Sequence, residues 1–123
     1  MSKKVLVVDD EERIRELAEL ALGRHPALEP LVAADGPSAL QLCRDVHPDL
    51  VFLDVMMPGM DGYDVCRALK QDSATADIKV IVLTAFAQHS TMQQALAAGA
   101  DDYMTKPFRP AQLVEKAIEI LGV

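Results

Sequence analysis

The sequence predicts an α/β domain with one parallel five-stranded sheet, and two observations carry this prediction. Short apolar runs without polar alternation recur along the chain, at residues 5–8, 31–34, 50–53 and 80–83, with a weaker fifth at 103–104. Such runs are typical of strands buried on both faces, as in parallel sheets. Stretches of helical period separate them, and this alternation predicts right-handed crossovers with helices on both faces of the sheet.

Each of the five predicted helices carries an apolar stripe. The stripes are Ile14, Leu17, Ala18, Ala21 and Leu22; Ala39, Leu42, Cys43 and Val46; Gly62, Val65, Cys66 and Leu69; Met92, Ala95, Leu96 and Gly99; and Val114, Ala117, Ile118 and Leu121. Spacings of three and four residues place such side chains on one side of a helix. We therefore expect these stripes to pack on the sheet, and Gly23 and Gly99 to end their helices.

Size and charge narrow the possible functions. The 123 residues suit one domain over 1–123, and their formal net charge of −7 argues against direct nucleic-acid binding, because an acidic surface repels phosphate. The apolar runs are far shorter than the roughly 20 residues of a membrane-spanning helix, and no secretory h-region is visible. We expect a cytoplasmic protein in which Cys43 and Cys66 are reduced core residues, with a disulfide between them as the alternative.

Polar side chains stand at the carboxyl ends of four predicted strands. Asp9 and Asp10 follow the first strand, Asp54 the third, Thr84 and Ala85 the fourth, and Lys106 and Pro107 the fifth. Ligands bind at this edge of a doubly wound sheet, so these groups are expected to converge. Two carboxylates about 4 Å apart repel by roughly 1 to 4 kcal/mol, and Mg²⁺, which prefers oxygen ligands, relieves that repulsion. The set favours phosphoryl transfer to a carboxylate nucleophile, with Lys106 and Thr84 binding the phosphoryl oxygens.

Four ordered segments of the chain resemble the receiver domains of bacterial two-component response regulators, including chemotaxis regulators. These segments are 5–11 (VLVVDDE), 53–62 (LDVMMPGMDG), 83–85 (LTA) and 99–108 (GADDYMTKPF). The resemblance covers essentially the whole chain and implies a flavodoxin-like sheet of strand order 2-1-3-4-5. It also implies phosphoryl transfer from a sensor histidine kinase or a histidine phosphotransfer protein, and regulation of an unknown downstream protein by contact.

The same resemblance implies a role for each matching residue. Asp54 would be the phosphoacceptor, and Mg²⁺ would be bound directly by Asp10, Asp54 and the Met56 backbone carbonyl, and through water by Asp9. The switch would be formed by Thr84 and Tyr103, with Ala85 and Lys106 beside the phosphoryl group. The Lys106–Pro107 peptide bond would be cis. Ile14, Leu17, Pro107 and Phe108 would form a kinase-docking surface, with core packing as the alternative for the first two. Phosphorylation would reshape the face formed by the fourth helix, fifth strand and fifth helix.

Taken singly, these residues have simpler explanations, since a pair of aspartates before a helix is more often a helix cap. Their common place at one sheet edge favours the functional interpretation. A phosphohydrolase is disfavoured because Met56 stands where its general acid would be, and a flavoprotein because the acidic loop after the first strand repels phosphate. A degenerate receiver, acting as a phosphorylation-independent interaction module, remains the alternative.

Further expectations concern the activated and assembled states. The resemblance implies that Met56 and Phe86 flank the site where water attacks the acyl phosphate, and since both are apolar we predict a long-lived phosphoryl state. The chain is expected to be a monomer when unphosphorylated, and to catalyse only its own phosphorylation and dephosphorylation. The sequence does not distinguish a stand-alone regulator from a receiver excised from a longer one.

Overall fold

Strands and helices alternate regularly in the computed structural model, which describes residues 2–85 and 89–123, with only the backbone at 89–91. The elements are β1 (Lys3–Val8), α1 (Glu12–Gly23), β2 (Leu28–Ala33), α2 (Gly36–Val46), β3 (Leu50–Asp54), α3 (Gly62–Gln71), β4 (Lys79–Thr84), α4 (His89–Ala97), β5 (Asp102–Thr105) and α5 (Pro110–Leu121). All neighbouring strands pair in parallel, in the order β2-β1-β3-β4-β5. The predicted α/β fold, with the order 2-1-3-4-5, is confirmed.

The sheet is covered on both faces, which explains the continuous apolar runs. Successive strand residues point to opposite faces, so Leu6 and Val8 join a core cluster with α2, α3 and α4, whereas Val5 and Val7 join a second cluster with α1 and α5. Every residue of β3 is buried. None of the helices that the structure describes is both long and apolar enough to cross a membrane.

The predicted second strand is wrong at both ends. Strand β2 begins at Leu28 rather than at residue 31, and it ends at Ala33 rather than at residue 34. Glu29 and Pro30 interrupt the apolar run, but β2 is an edge strand, where an exposed carboxylate and a missing N–H are both tolerated. Periodicity alone therefore places the start of this strand too late.

Two leucines of the predicted stripes lie outside the core. Leu17 of α1 is 40% exposed and Leu96 of α4 is 64% exposed. Among the described side chains, this part of the chain packs instead through the small Ala95 of α4 and through Ala98, which follows the helix. The stripe on α3 is fully buried, as predicted.

The two cysteines are free thiols in the core, as expected. Burial raises the pKa of both Cys43 and Cys66 to about 11, so neither ionises near neutral pH. The Cys66 thiol donates a hydrogen bond to the Ala98 carbonyl over 3.4 Å, which ties α3 to the segment after α4. Both cysteines therefore act as packing residues.

Candidate functional site

Three carboxylates lie together at the carboxyl ends of β1 and β3. Asp9, Asp10 and Asp54 each place one carboxylate oxygen within 4.8 Å of the others. Asp9 is 0% exposed and Asp54 is 3% exposed, whereas Asp10 is open to solvent. Two acids therefore form the floor of the site and the third stands at its rim.

Lys106 brings a positive charge into this cluster from the loop after β5. Its ammonium nitrogen lies 2.8 Å from Asp9 Oδ2 and 3.1 Å from Asp54 Oδ1. The Lys106 backbone N–H donates to the Thr84 carbonyl over 2.7 Å, which fixes the loop against the end of β4. The next peptide bond, to Pro107, is cis, as the resemblance implied.

The charges of the site are unbalanced. Burial raises the pKa of Asp54, as does the neighbouring Asp9 charge, while Lys106 and the Met56 N–H only partly oppose them. Burial acts to lower the pKa of Lys106, but its hydrogen bonds to Asp9 and Asp54 prevail and the pKa is raised. A protonated lysine thus contacts two of the three clustered carboxylates, so their surplus of negative charge and their oxygen donors suit a hard divalent cation such as Mg²⁺.

Asp9 is held by its own loop, by helix α1 and by Lys106. Its Oδ1 accepts the Glu11 N–H over 2.9 Å and its Oδ2 accepts Lys106, while the Arg15 guanidinium donates to its backbone carbonyl over 2.9 Å. Each carboxylate oxygen of Asp9 thus accepts a hydrogen bond within the protein. Sequence reasoning missed Arg15, although a cation in the first turns of a helix opposes the helix dipole and is a usable signal.

The loop from β3 to α3 folds back closely on Asp54. The Val55 carbonyl accepts the N–H groups of both Met57 and Gly62, each over 3.1 Å. A Cβ atom on Gly62 would lie 2.4 Å from the Asp54 carbonyl oxygen, a distance that real side chains do not adopt. Glycine at position 62 therefore lets the start of α3 approach the end of β3.

Replacing Gly62 with alanine is expected to lower the free energy of unfolding by about 2 kcal/mol or more, because the new methyl group would collide with backbone atoms that cannot rotate away. Urea denaturation measures this change. Gly23→Ala is the matched control, since its Cβ would meet only Pro30 Cγ, at 3.7 Å. We expect that variant to differ from the parent by less than about 1 kcal/mol; equal losses in both would contradict the explanation.

The residues of the predicted switch lie on one face of the sheet. Thr84 ends β4 and is 5% exposed, while Tyr103 pairs in register with Val82, two residues before Thr84. Residues two apart on a strand share a face, and Tyr103 packs against the cluster that contains Val82. The two side chains therefore occupy the α4 side of the sheet, Tyr103 being half-buried there.

Three of the four predicted docking residues line one pocket. This pocket, of about 270 Å³, is formed by Glu11, Ile14, Ala85, Lys106, Pro107 and Phe108. Leu17 does not line it and lies further along α1. The pocket opens beside the acidic cluster, because Lys106 borders both. Met56, in the loop after β3, is 68% exposed, and Phe86 lies outside the described residues.

Comparison with known proteins decides the family. Residues 5–118 match the family model of the response regulator receiver domain. The chain belongs to this family. As a receiver domain of two-component response regulators, it is 41% identical over 116 residues to the DNA-binding response regulator MtrA of Mycobacterium tuberculosis, covering 94% of this chain and 49% of that protein.

Other relatives give the same result. The probable transcriptional regulator ycf27 of Cyanophora paradoxa is 45% identical, over 97% of this receiver and 48% of its own length. The chain thus spans about half the length of these curated relatives. Among solved structures, the chemotaxis protein CheY4 of Vibrio cholerae superposes with a TM-score of 0.91 at 30% identity, covering 98% of this chain and 99% of that one. A response regulator from Chloroflexus aurantiacus has a TM-score of 0.89 at 36% identity over 100% of both chains.

Proposed function

We propose that this receiver accepts a phosphoryl group on Asp54, in a Mg²⁺-dependent reaction, and stores it as an acyl phosphate. The observation that carries the proposal is the joint placement of three carboxylates and the Lys106 ammonium at the carboxyl edge of the sheet. A hydrolase needs a general acid beside its nucleophile, and Met56 supplies none. The arrangement is suited to receiving a phosphoryl group.

In the proposed reaction, an Asp54 carboxylate oxygen attacks the phosphorus of a phosphohistidine. The new O–P bond forms as the N–P bond breaks, and the imidazole leaves with the electron pair and takes up a proton. Lys106 stabilises the negative charge on the phosphoryl oxygens, and Thr84 donates a hydrogen bond to one of them. Asp10, Asp54 and the Met56 carbonyl would hold Mg²⁺ directly, and Asp9 through water. The bound ion supplies neutralisation of the incoming charge.

The signal would pass through Thr84 and Tyr103. Movement of Thr84 toward the phosphoryl group lets the half-buried Tyr103 turn inward, so the face of α4, β5 and α5 changes shape. Phosphorylation then shifts the population between two forms of this face, and a downstream protein binds one of them. Ala85 borders the phosphoryl site where this movement starts.

The proposed donor is a sensor histidine kinase or a histidine phosphotransfer protein. The pocket of Ile14, Pro107 and Phe108 supports this, because it offers an apolar surface beside the acceptor carboxylate. We place the receiver in the cytoplasm, as a monomer before phosphorylation. We also predict that this domain does not itself contact nucleic acid. The DNA-binding relatives do not test this, because the chain matches only about half of their length.

Intact mass after incubation with acetyl phosphate and Mg²⁺ tests the proposal. We expect a gain of one phosphoryl group that hydroxylamine removes, that EDTA prevents and that Asp54→Asn abolishes. Asp45→Asn, an exposed acid on α2, is the matched control and should label normally. If the folded protein is labelled neither by acetyl phosphate nor by a histidine kinase, it is a phosphorylation-independent interaction module.

The exposed Met56 side chain is expected to make the acyl phosphate long-lived, because a thioether orients attacking water poorly. Met56→Asn should therefore speed dephosphorylation by roughly threefold to tenfold, since an amide can hold a water molecule in place. Decay of the phosphorylated mass after removal of the donor measures the rate. Met56→Leu serves as control and should decay at the parent rate; an unchanged rate in Met56→Asn would contradict the prediction.

A further inference from the structure

Met60 of the β3–α3 loop packs directly on Gly36, the first residue of α2. Gly36 is buried, and a Cβ atom there would lie 2.9 Å from Met60 Sδ and 3.0 Å from both Met60 Cβ and Cγ. Side chains do not approach so closely. Position 36 therefore accommodates only glycine while Met60 keeps its place.

Backbone conformation does not explain this glycine. The glycines with positive φ are Gly59, Gly99 and Gly122, so Gly36 has a conformation open to any L-residue. Alanine would also favour the helix, by up to about 1 kcal/mol in a helix interior. The contact with Met60 is thus the described feature that requires a missing side chain at position 36.

The loop that carries Met60 is attached at two places. Its base is closed where the Val55 carbonyl accepts two N–H groups, and Met57 is buried beneath it. Its outer part turns at Gly59, where φ is +78°, and returns through Met60, which packs against the core cluster on the α2 and α3 side. The contact with Gly36 supports this outer part from α2.

We propose that Gly36 and Met60 are positioning residues for the metal site, because their contact sets how far residues 56–60 stand from the edge of the sheet. That distance fixes the Met56 carbonyl relative to Asp10 and Asp54. The inference rests on the proposed function, in which this carbonyl binds Mg²⁺. Mg²⁺ demands near-octahedral geometry at about 2.0–2.1 Å, so a loop displaced by a few tenths of an ångström binds it less well.

The geometry gives this proposal a specific consequence. In Gly36→Ala, a new rotamer of Met60 relieves only part of the clash, because Met60 Cβ would still lie 3.0 Å from the new methyl carbon and moves only with the backbone. The loop itself must shift. Shortening the other partner, in Met60→Ala, removes the clashing Sδ and Cγ atoms, so that only the contact with Met60 Cβ, at 3.0 Å, remains and most of the clash is relieved.

The test is a double-mutant cycle on the full chain, with the Mg²⁺ dissociation constant measured by titration calorimetry and stability measured by urea denaturation in EDTA. We expect Gly36→Ala to weaken Mg²⁺ binding about tenfold, in the range of supporting groups around metal ligands. Met60→Ala alone should weaken it severalfold, because the loop loses its support. The double variant should bind Mg²⁺ at least about fivefold more tightly than Gly36→Ala.

A matched control separates positioning from general destabilisation. Asp35→Ala removes the N-cap of α2, where Asp35 Oδ1 accepts the Ser38 N–H over 2.8 Å, and leaves both residues of the Gly36–Met60 contact unchanged in sequence. It should lower stability by about 1 kcal/mol and leave Mg²⁺ binding unchanged. Parent-like binding in Gly36→Ala, or additive losses in the double variant, would overturn the inference alone. Absence of Mg²⁺ binding in the unaltered chain would overturn the proposed function as well.

Discussion

Replacing Lys106 with methionine is expected to tighten Mg²⁺ binding while it slows the phosphorylation of Asp54. The ammonium lies 2.8 Å from Asp9 and 3.1 Å from Asp54, so it competes with a divalent cation for the same carboxylates. Without it, three acids face the metal with no internal cation, and the Mg²⁺ dissociation constant should fall severalfold. The phosphoryl oxygens lose their charged donor at the same time, and loss of one such donor slows a reaction by about 100-fold or more.

Two measurements separate these opposite effects. Calorimetric titration gives the Mg²⁺ affinity, and the rate of mass gain from acetyl phosphate at saturating Mg²⁺ gives the rate of phosphorylation. Because the buried acids lose their partner, we also expect the metal-free variant to be less stable by about 3 kcal/mol, and Mg²⁺ to recover that loss.

Lys116→Met is the matched control for Lys106→Met. Lys116 also pairs with a carboxylate, that of Asp102 at 2.9 Å, but it lies on α5 outside the acidic cluster. In Lys116→Met, the Mg²⁺ affinity and the rate of phosphorylation should both remain near those of the parent chain. Parallel losses of Mg²⁺ affinity and of phosphorylation in Lys106→Met would show that this lysine only holds the site together.

The sequence predicts the strands best where helices cover both faces of the sheet. Strands β1, β3 and β4 lie between two layers of helices, so their sequences are continuously apolar and stand out from the helical stretches. The edge strand β2 shows that signal over only part of its length, because an edge strand is partly exposed to solvent and tolerates Glu29 and Pro30. Leu17 and Leu96 show the converse error, since periodicity identifies an apolar side of a helix but not how much of it the sheet covers.

The sequence also predicts which residues meet at the site, but not which of them bond to each other. Parallel strands end at one edge, so Asp9, Asp54 and Lys106 had to meet there. The preference of Lys106 for Asp9, the bond from Arg15 to the Asp9 carbonyl and the contact of Met60 with Gly36 depend on loop paths. Those paths are set by side chains distant in sequence, which no local pattern encodes.

Replacing the proposed phosphoacceptor, in Asp54→Asn, is expected to stabilise the metal-free protein at neutral pH by about 1 kcal/mol or more, the scale of repulsion between neighbouring carboxylates. Asp54 is 3% exposed and lies beside Asp9. Burial raises the pKa of its carboxyl above the ordinary value of 3.8, so the folded state holds the proton more tightly than the unfolded state does. Ionisation of Asp54 therefore costs folding free energy, and asparagine avoids that cost.

The sign of the pH dependence follows from this raised pKa. Below the unfolded value of 3.8 the carboxyl is neutral in both states, so the parent chain and Asp54→Asn should unfold at nearly the same urea concentration. As the pH rises through the folded pKa, the parent loses stability that the variant keeps. The difference should grow with pH and then become constant.

Urea denaturation in EDTA at several values between about pH 4 and pH 8 measures this difference. Asp45→Asn, which removes an exposed charge on α2, should stay within about 0.5 kcal/mol of the parent with no comparable growth. With Mg²⁺ present, the parent should become more stable than Asp54→Asn, because the parent keeps the Asp54 carboxylate as a metal ligand. At a Mg²⁺ concentration 100 times the dissociation constant, binding stabilises the folded state by about 2.7 kcal/mol. A variant that is less stable than the parent at pH 7 in EDTA would mean that the Lys106 pair outweighs burial and Asp9. The Lys106 ammonium would then already stabilise the acidic cluster, and the site would have no excess negative charge for a metal ion to neutralise.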